Sequence, residues 1–341
     1  MEIKKALTFR ASSIGDCLMG KYVLENIHMQ FPNARCGIVV GSRGAMIRDL
    51  FAEYPWIEVI EVNRRSPRAL WSLWRSWQGS DLVITQYAGK EGGAFSLPSK
   101  LFARVLARAS GLVGFTDAFA YNRFIYSNLV PFEPTAEPAE MERRVLIAAG
   151  VRLSVPLPTL SKSREPGTLS RFDLVSGKYV IMHLFSGAKT RGLSLEGKCE
   201  LVRQVADMLP PEVAIVLTGT SQERDEALQV AEGTRARVIA KKTTLQEVMS
   251  LIESSICVVS VDTGVAHMTA QLGKHLVVLT TCLGAHWWGP KQYGESSRVV
   301  VYTNRTACGK THVLVAYPPC INEINISNLL SKLKVIMNDT V

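Results

Sequence analysis

Residues 260–273 read SVDTGVAHMTAQLG, and this stretch decides the fold. It continues from residues 256–261, a β-branched run that predicts a buried strand of a parallel sheet. The small residues after Asp262-Thr263-Gly264 predict a helix, so a hydroxyl, backbone N–H groups and a helix N-terminus meet at the strand end. His267 follows Thr263 by about one helical turn and can face the same point. Such a point suits a phosphate or diphosphate, although Asp-Thr-Gly is equally a good helix cap and tight turn.

The same strand-then-helix order repeats along the rest of the chain. The predicted strands are 6–10, 35–40, 58–62, 82–85 and 112–115, then 179–184, 213–217, a short one near 238, 256–261, 276–280 and 298–301. Helical segments separate them, which implies parallel sheets covered by helices on both faces. Prolines gather between 131 and 166, and we take 152–176 as the linker.

The predicted fold class is therefore α/β, with two facing Rossmann-like βα domains and a central cleft. The first domain is expected to span residues 1–160 and the second 161–325. The closing helix, 326–341, is expected to pack back on the first domain.

Bulk composition narrows the class of protein. At 341 residues the chain exceeds one ordinary core, and 47% apolar with 20% charged residues is typical of globular proteins. Its net charge of +9 favours an anionic partner: nucleic acid, a membrane surface or a phosphorylated substrate. The absence of a long apolar run or a signal peptide predicts a cytoplasmic location. The seven scattered cysteines are interpreted as reduced thiols, and no CxxC or Cys/His cluster indicates a metal site.

Small or polar residues gather at four predicted strand ends. One is 12–16 in the first domain; the others are Ser186-Gly187, Gly219-Thr220 and 262–264 in the second. We therefore expect the second domain to hold a nucleotide-like donor. The first would supply Asp16 as a base that accepts a proton from an alcohol in a water-poor cleft. Asp16 also suits the N-cap of the following helix, and both interpretations remain open.

Missing motifs exclude other chemistries. The chain has no Asp-x-Asp pair to hold a metal against a diphosphate, so neutralisation falls to backbone N–H groups, helix dipoles and side chains. The candidates for a cationic side chain are Lys189, Arg191 and His267. The absence of GxGxxG and of a P-loop argues against dehydrogenases and kinases.

The sequence RASSIGD at 10–16 and SVDTGVAH at 260–267 resemble motifs of glycosyltransferase family 9, the heptosyltransferases of bacterial lipopolysaccharide synthesis. The resemblance spans nearly the full length and includes Trp-Gly-Pro at 288–290 and Cys308 through 320–321. It implies that Asp16 is the catalytic base. It also implies a set of donor-binding residues: Asp262, Thr263, Gly264 and His267 at the diphosphate, and Gly219, Thr220 and Glu223 at the nucleoside, with Glu223 toward the ribose.

One segment departs from the family pattern. The family commonly has P-G-A followed by K-x-W-P; this chain has Phe-Ser-Gly-Ala at 185–188 and then Arg-Gly-Leu-Ser at 191–194. Ser186 and Gly187 would then supply donor-binding backbone, and Arg191 would replace the lysine as the cation, with a different fork geometry. The departure leaves the sugar, the acceptor and the level of activity open.

The resemblance implies an inverting, metal-independent transferase that moves a heptose or related sugar from an ADP-sugar to a lipopolysaccharide core or related glycan of the cell envelope. No cofactor is expected. The partners would be the nucleotide-sugar donor and an anionic glycolipid acceptor, with Ser13, Lys100 and Arg123 as acceptor contacts. The alternatives are a catalytically weak nucleotide-sugar-binding scaffold and a sugar-nucleotide epimerase of similar fold. No recognised motif supports nucleic-acid binding.

Residues 64–77 combine arginines with tryptophans at helical spacing. One interpretation is a crossover helix whose aromatic stripe packs on the sheet. The other is a basic amphipathic helix at a lipid interface, which would place the protein peripherally on the cytoplasmic face of the inner membrane.

Overall fold

The computed structural model describes residues 2–10, 13–85, 96–116, 119–133, 135–163, 165–240, 242–294, 298–308 and 315–340. Residues 11 and 12 of the RASSIGD motif lie outside these ranges. The contacts divide the chain into two compact units, Met1–Pro158 and Thr159–Val341.

The first unit is a six-stranded parallel sheet with flanking helices. Its strands are β1 (Lys5–Phe9), β2 (Arg35–Val40), β3 (Ile57–Glu61), β4 (Leu82–Thr85), β5 (Leu112–Phe115) and β6 (Asn128–Val130). Its helices are α1 (Ile14–Gln30), α2 (Gly44–Leu50), α3 (Pro67–Trp77), α4 (Leu97–Leu106), α5 (Asn122–Ile125) and α6 (Pro138–Ala148). The strand order is β3-β2-β1-β4-β5-β6.

The second unit repeats this plan. Its strands are β7 (Tyr179–His183), β8 (Ala214–Leu217), β9 (Arg237–Val238), β10 (Cys257–Val261), β11 (Leu276–Leu279) and β12 (Val299–Tyr302), in the order β12-β11-β10-β7-β8-β9. The helices are α7 (Thr168–Arg171), α8 (Leu195–Met208), α9 (Arg224–Ala231), α10 (Leu245–Ser254), α11 (Gly264–Gln271), α12 (Pro290–Tyr293), α13 (Pro319–Asn322) and α14 (Ile326–Thr340). Short 3-10 turns cover Lys189–Arg191, Ala285–Trp288 and Arg305–Cys308.

These two sheets confirm the predicted α/β class. The strand order in each unit is that of a Rossmann fold, in which the connections leave the central pair of strands in opposite directions. The central strands are buried on both faces, and all five residues of β10 are inaccessible to solvent. Because both faces are covered, the strands read as continuous β-branched runs rather than as an alternation.

The closing helix α14 packs within the second unit. Leu329, Leu333 and Ile336 follow one another at helical spacing and join the core that includes α8. The sequence predicts packing of this helix against the first domain, whereas its described contacts are with the second unit.

Sequence patterns missed five short elements. They are α5, β6, α7, α12 and α13, each of three or four residues, too short to show a period of their own. Helix α7 lies inside the segment taken as a linker.

Helix α3 divides its aromatic stripe between core and solvent. Ser66 caps its N-terminus by accepting from the Ala69 N–H at 3.3 Å. Leu73 and Trp77 are buried on the sheet, whereas Trp71 remains 58% exposed. Trp77 therefore packs on the sheet, as expected for a crossover helix, whereas Trp71 does not. Among the described residues, no helix has the length and apolar character needed to cross a membrane.

Candidate functional site

The carboxyl ends of the central strands of the second unit carry most of the predicted donor residues. Strands β7 and β10 are neighbours at the point where the connections diverge, and β8 lies beside β7. Ser186 and Gly187 follow β7, Thr220 follows β8, and Thr263 follows β10. Parallel strands end at one sheet edge, so the fold brings these segments to the position where open α/β sheets bind ligands.

Helix α11 begins at this edge without a side-chain cap. Thr263 occupies the N-cap position in an extended conformation, and its hydroxyl makes no capping hydrogen bond. That hydroxyl lies 3.4 Å from the Ser260 hydroxyl instead. The N–H groups in the first turn of α11 therefore have no side-chain cap, and the positive end of the helix dipole lies at the sheet edge. This arrangement favours the binding of an anion.

His267 is fixed inside a small aromatic group. Its ring stacks on Trp288 with centroids 4.5 Å apart, and its Nδ1 lies 2.5 Å from the Tyr293 hydroxyl. Gln292 donates to the same hydroxyl oxygen at 2.8 Å, which leaves the Tyr293 proton for Nδ1. This assignment places the imidazole proton on Nε2, 3.6 Å from the Asp262 carboxylate.

His267 is neutral at pH 7. Burial and, as the smaller effect, the nearby positive charge of Arg191 together lower its pKa to about 4. His267 is one of the candidate cations predicted from the sequence, but in the structure it is a neutral hydrogen-bond donor. Arg191 is then the cation that acts on this group.

A pH experiment checks the state of His267. Its folded-state pKa lies below its ordinary value of 6.5, so the unfolded chain takes up a proton first as pH falls. The stability due to the neutral ring is complete above pH 6.5 and is lost toward pH 4. Between pH 7 and 4.5 we expect the free energy of unfolding of the native protein to fall about 2 kcal/mol more than that of His267→Gln. Equal losses in denaturant titrations of the two proteins would contradict a buried neutral imidazole.

Asp262 is a buried carboxylate that organises the sheet edge. Burial raises its pKa to about 6, while Arg191 and the Thr280 hydroxyl act to lower it. The Thr280 hydroxyl donates to its Oδ2 at 3.5 Å. A Cβ atom on Gly284 would lie 3.0 Å from the same oxygen, so a glycine is needed where this loop passes. A carboxylate would repel a diphosphate, and these contacts favour a positioning role for Asp262.

The turn that carries Arg191 is held by the end of the chain. The Ser186 hydroxyl accepts from the Ala188 N–H at 3.2 Å, and the Lys189 carbonyl accepts from the Tyr317 N–H at 2.9 Å. Asn322 of α13 bonds to both sides of the following residues, accepting from Ser194 N–H and donating to the Gly192 carbonyl. The Arg191 side chain is exposed at this turn.

Glu223 is anchored at the end of β8. Its Oε2 accepts from the Thr220 N–H at 2.7 Å, and a Cβ on Gly219 would lie 3.3 Å from the same oxygen. Buried His183, at the end of β7, lies 2.9 Å from the Thr218 hydroxyl through Nδ1. Burial lowers the pKa of His183, and the Glu223 charge opposes that shift. Sequence reasoning missed His183, which sits inside a strand with no motif around it.

In the first unit, Asp16 lies in the first turn of α1. Ser13 is the N-cap: its hydroxyl accepts from the Asp16 N–H at 3.2 Å and donates to Asp16 Oδ2 at 2.5 Å. The cap that the sequence analysis offered as the alternative role of Asp16 is therefore Ser13. This hydrogen bond orients the Asp16 carboxylate.

The two predicted cationic acceptor residues lie in different environments. Lys100 is 2% exposed; its Nζ donates to Asn122 Oδ1 at 3.0 Å and lies over the Phe119 and Tyr121 rings. This burial favours a structural role for Lys100. Arg123 is exposed, with its guanidinium over the Phe124 ring, and its position leaves it accessible to an acceptor.

A pocket of about 190 Å³ opens at the carboxyl ends of β1, β2 and β3. Its wall is mostly apolar and includes Phe9, Leu73 and Phe102, with Arg64 and Ser99 as polar members. Arg10 also lines it, bound through both guanidinium NH₂ groups to the buried Glu142 carboxylate at 2.5 and 3.0 Å. Arg10 and Glu142 are 132 residues apart, and no local pattern predicts their pairing.

Three cysteines also come together in the second unit. The Sγ atoms of Cys282, Cys308 and Cys320 all lie within 4.8 Å of one another. Cys308 and Cys320 were family landmarks, but their spacing matches no metal motif and Cys282 lies far away in sequence.

Comparisons with known proteins bear on these sites. Residues 200–311 match the family model described as glycosyltransferase family 9 (heptosyltransferase). The match contains the Gly219–Glu223 and Asp262–His267 segments and leaves out Asp16 and Arg191. No curated protein sequence matched the chain.

Solved structures share the fold over the full length. The Escherichia coli ADP-heptose lipopolysaccharide heptosyltransferase II is 18% identical, with 98% of this chain and 99% of that one covered and a TM-score of 0.72. A family 9 glycosyltransferase from Veillonella parvula is 14% identical, with 99% and 98% covered and a TM-score of 0.75. The E. coli heptosyltransferase WaaC with ADP is 17% identical, with 99% and 100% covered and a TM-score of 0.65. The chain therefore contains a segment that matches the glycosyltransferase family 9 model, within a fold that it shares over its full length with solved heptosyltransferases.

Proposed function

We propose that this protein is an inverting, metal-independent glycosyltransferase that moves a heptose or related sugar from an ADP-sugar to a lipopolysaccharide core or related glycan. The observation that carries the proposal is the uncapped start of α11 after β10, with neutral His267 and cationic Arg191 beside it. Two of the similar structures are named for ADP-heptose or solved with ADP, which supports ADP as the nucleotide.

The donor diphosphate would bind at the N-terminus of α11. Backbone N–H groups of Gly264 and of the Ser186–Gly187 turn would donate to it, and Arg191 would neutralise part of its charge. His267 would donate from Nε2 without adding charge. Glu223, oriented by the Thr220 N–H, would accept from a ribose hydroxyl.

No divalent metal is needed in this scheme. As the nucleoside diphosphate leaves, negative charge grows on its terminal phosphate. A preorganised helix N-terminus and a guanidinium stabilise that charge without reorganisation. These groups would take the part that a metal held by Asp-x-Asp plays in other transferases.

Asp16 would act as the general base. It would accept the proton of the acceptor hydroxyl while that oxygen attacks the anomeric carbon, and the bond from that carbon to the diphosphate would break in the same step. A single displacement inverts the anomeric configuration. The Ser13 hydroxyl would hold the carboxylate in place.

The acceptor would be an anionic glycolipid or its glycan. The pocket beside β1, β2 and β3 would receive an apolar part of it, with Arg64 and Arg123 contacting its charged groups. Its volume is below the usual range for a whole ligand site, so it would hold only a portion of the acceptor.

Peripheral contact with an anionic membrane surface would use helices α3 and α4, which contact each other in the first unit. Trp71 of α3 and Leu101 and Val105 of α4 are exposed large apolar side chains, and α3 also carries Arg68 and Arg75.

We expect the protein to sediment with vesicles that contain anionic lipid. The double variant Trp71→Ala with Leu101→Ala should weaken that binding several-fold. Identical sedimentation of the double variant would contradict the contact.

The reaction itself tests the proposal. The full chain should release ADP from ADP-heptose when lipopolysaccharide core fragments are supplied, with chelator present. Nuclear magnetic resonance of the product should show the anomeric configuration opposite to that of the donor. A retained configuration, or activity abolished by the chelator and restored by Mg²⁺, would contradict it.

A further inference from the structure

The second unit contains a cluster of thiols outside the residues assigned to the transfer reaction. We propose that Cys282, Cys308 and Cys320 form a binding site for one thiophilic divalent cation of the zinc class. The Sγ atoms of these three cysteines all lie within 4.8 Å of one another. Among the described residues, they form the group of side chains that is close enough together to share a metal ion. None of the three is in a disulfide.

The spacing of the sulfur atoms suits a shared metal ion. With Zn–S bonds of about 2.3 Å, tetrahedral coordination places sulfur atoms about 3.8 Å apart. Sulfurs within 4.8 Å of one another reach that spacing by side-chain movements of under about 1 Å, without a change of backbone. Three thiolates select soft or borderline cations over Mg²⁺ or Ca²⁺, and water would complete the coordination.

Three separate segments supply the ligands, and backbone contacts already hold them together. Cys282 follows β11, and its N–H donates to Cys320 Sγ at 3.4 Å. Cys308 ends the 3-10 turn after β12, and the Cys320 carbonyl accepts from the Asn304 N–H at 2.7 Å. Cys320 is fully buried in α13, and the other two are half-buried, so a cation can enter from the solvent side.

The position of the cluster indicates what a bound ion would stabilise. Thr280, two residues before Cys282, donates to Asp262. Asn322, two residues after Cys320, holds the loop that follows Arg191. An ion at the three sulfurs would therefore tie together two loops that flank the sheet edge. Its binding would displace the thiol protons to solvent and change no oxidation state.

Cobalt titration of the full-length protein, reduced and stripped of metal, tests the site. We expect one equivalent of Co²⁺ to produce a thiolate-to-cobalt charge-transfer band and the visible bands of tetrahedral cobalt, and Zn²⁺ to displace it. Thermal unfolding should shift upward with Zn²⁺. The absence of a charge-transfer band in the unmodified protein would overturn the proposal whatever the variants do.

Variants locate the ligands. Cys282→Ser and Cys308→Ser, at half-buried positions, should each weaken metal affinity by at least about 100-fold while circular dichroism stays native. Cys199→Ser on α8 is the matched control, since Cys199 is a partly exposed thiol of the same unit outside the cluster. Unchanged affinity in Cys282→Ser and Cys308→Ser would overturn the site. The site would also be overturned if a thiol assay of the unmodified protein, after denaturation, counted five thiols. Two of its cysteines would then form a disulfide.

Discussion

Asp16→Asn should lower turnover by at least about 100-fold and leave the dissociation constant of the ADP-sugar within about two-fold. A general base contributes about 10²–10⁴-fold, so its loss raises the barrier by about 3 kcal/mol or more. The proposed donor-binding residues lie in the second unit, which this substitution leaves unchanged. Steady-state kinetics and donor calorimetry on the same preparation separate the two effects.

The asparagine variant is preferred to alanine because of Ser13. The Ser13 hydroxyl donates to Asp16 Oδ2, and an amide oxygen can accept the same hydrogen bond. The start of α1 is therefore preserved, and lost activity reports lost proton acceptance. Ser13→Ala is the control: it removes a cap worth about 1 kcal/mol of stability and should reduce turnover far less. Near-normal turnover in Asp16→Asn would remove Asp16 from the mechanism.

Arg191→Ala should reduce kcat/KM by about 100-fold or more and weaken ADP binding. Its positive charge acts on both Asp262 and His267 and lowers the pKa of each. A cation so placed can stabilise the charge that grows on a leaving diphosphate, and loss of one such donor costs about 10²–10³ in rate. Arg191→Lys keeps the positive charge but loses the forked guanidinium geometry. Its kcat/KM should lie between those of the native protein and Arg191→Ala.

Lys189→Ala is the matched control for this experiment. Lys189 is an exposed cation of the same 3-10 turn, but it is not among the charges that shift the pKa of Asp262 or His267. We expect its kcat/KM to stay within about ten-fold of the native value. Arg191→Ala should also raise the pKa of His267, because a neighbouring positive charge is removed; histidine resonances followed against pH measure this. Unchanged ADP affinity together with an unchanged His267 pKa would contradict the assignment.

The fold follows from local patterns in the sequence. The β-branched run at 257–261, the turn at 262–264 and the small residues beyond it predict a strand, a sharp exit and a helix, and each is a short-range signal. Repetition of this unit predicts a parallel sheet, because a helical crossover is the usual connection between neighbouring parallel strands. Because open α/β sheets bind ligands at the carboxyl ends of their parallel strands, the same pattern also predicts where polar residues can form a ligand site.

The remaining features depend on contacts between distant residues. Nothing near Lys100 indicates that Phe119, Tyr121 and Asn122 enclose its ammonium group. The neutral state of His267 depends on burial beside Trp288 and Tyr293, more than twenty residues away. The thiol cluster likewise needs Cys282 to meet a cysteine 38 residues later. A residue's charge state and accessibility are set by tertiary packing, which local periodicity does not encode.

The most direct test of the central claim is calorimetric titration of the native full-length protein with ADP, ADP-heptose, UDP, GDP and their sugars. The account predicts one site per chain that prefers ADP and ADP-heptose by at least about ten-fold, is retained in Asp16→Asn and is weakened in Arg191→Ala. Equal affinity for all nucleotides, or no binding to any of them, would contradict a donor site at the start of α11.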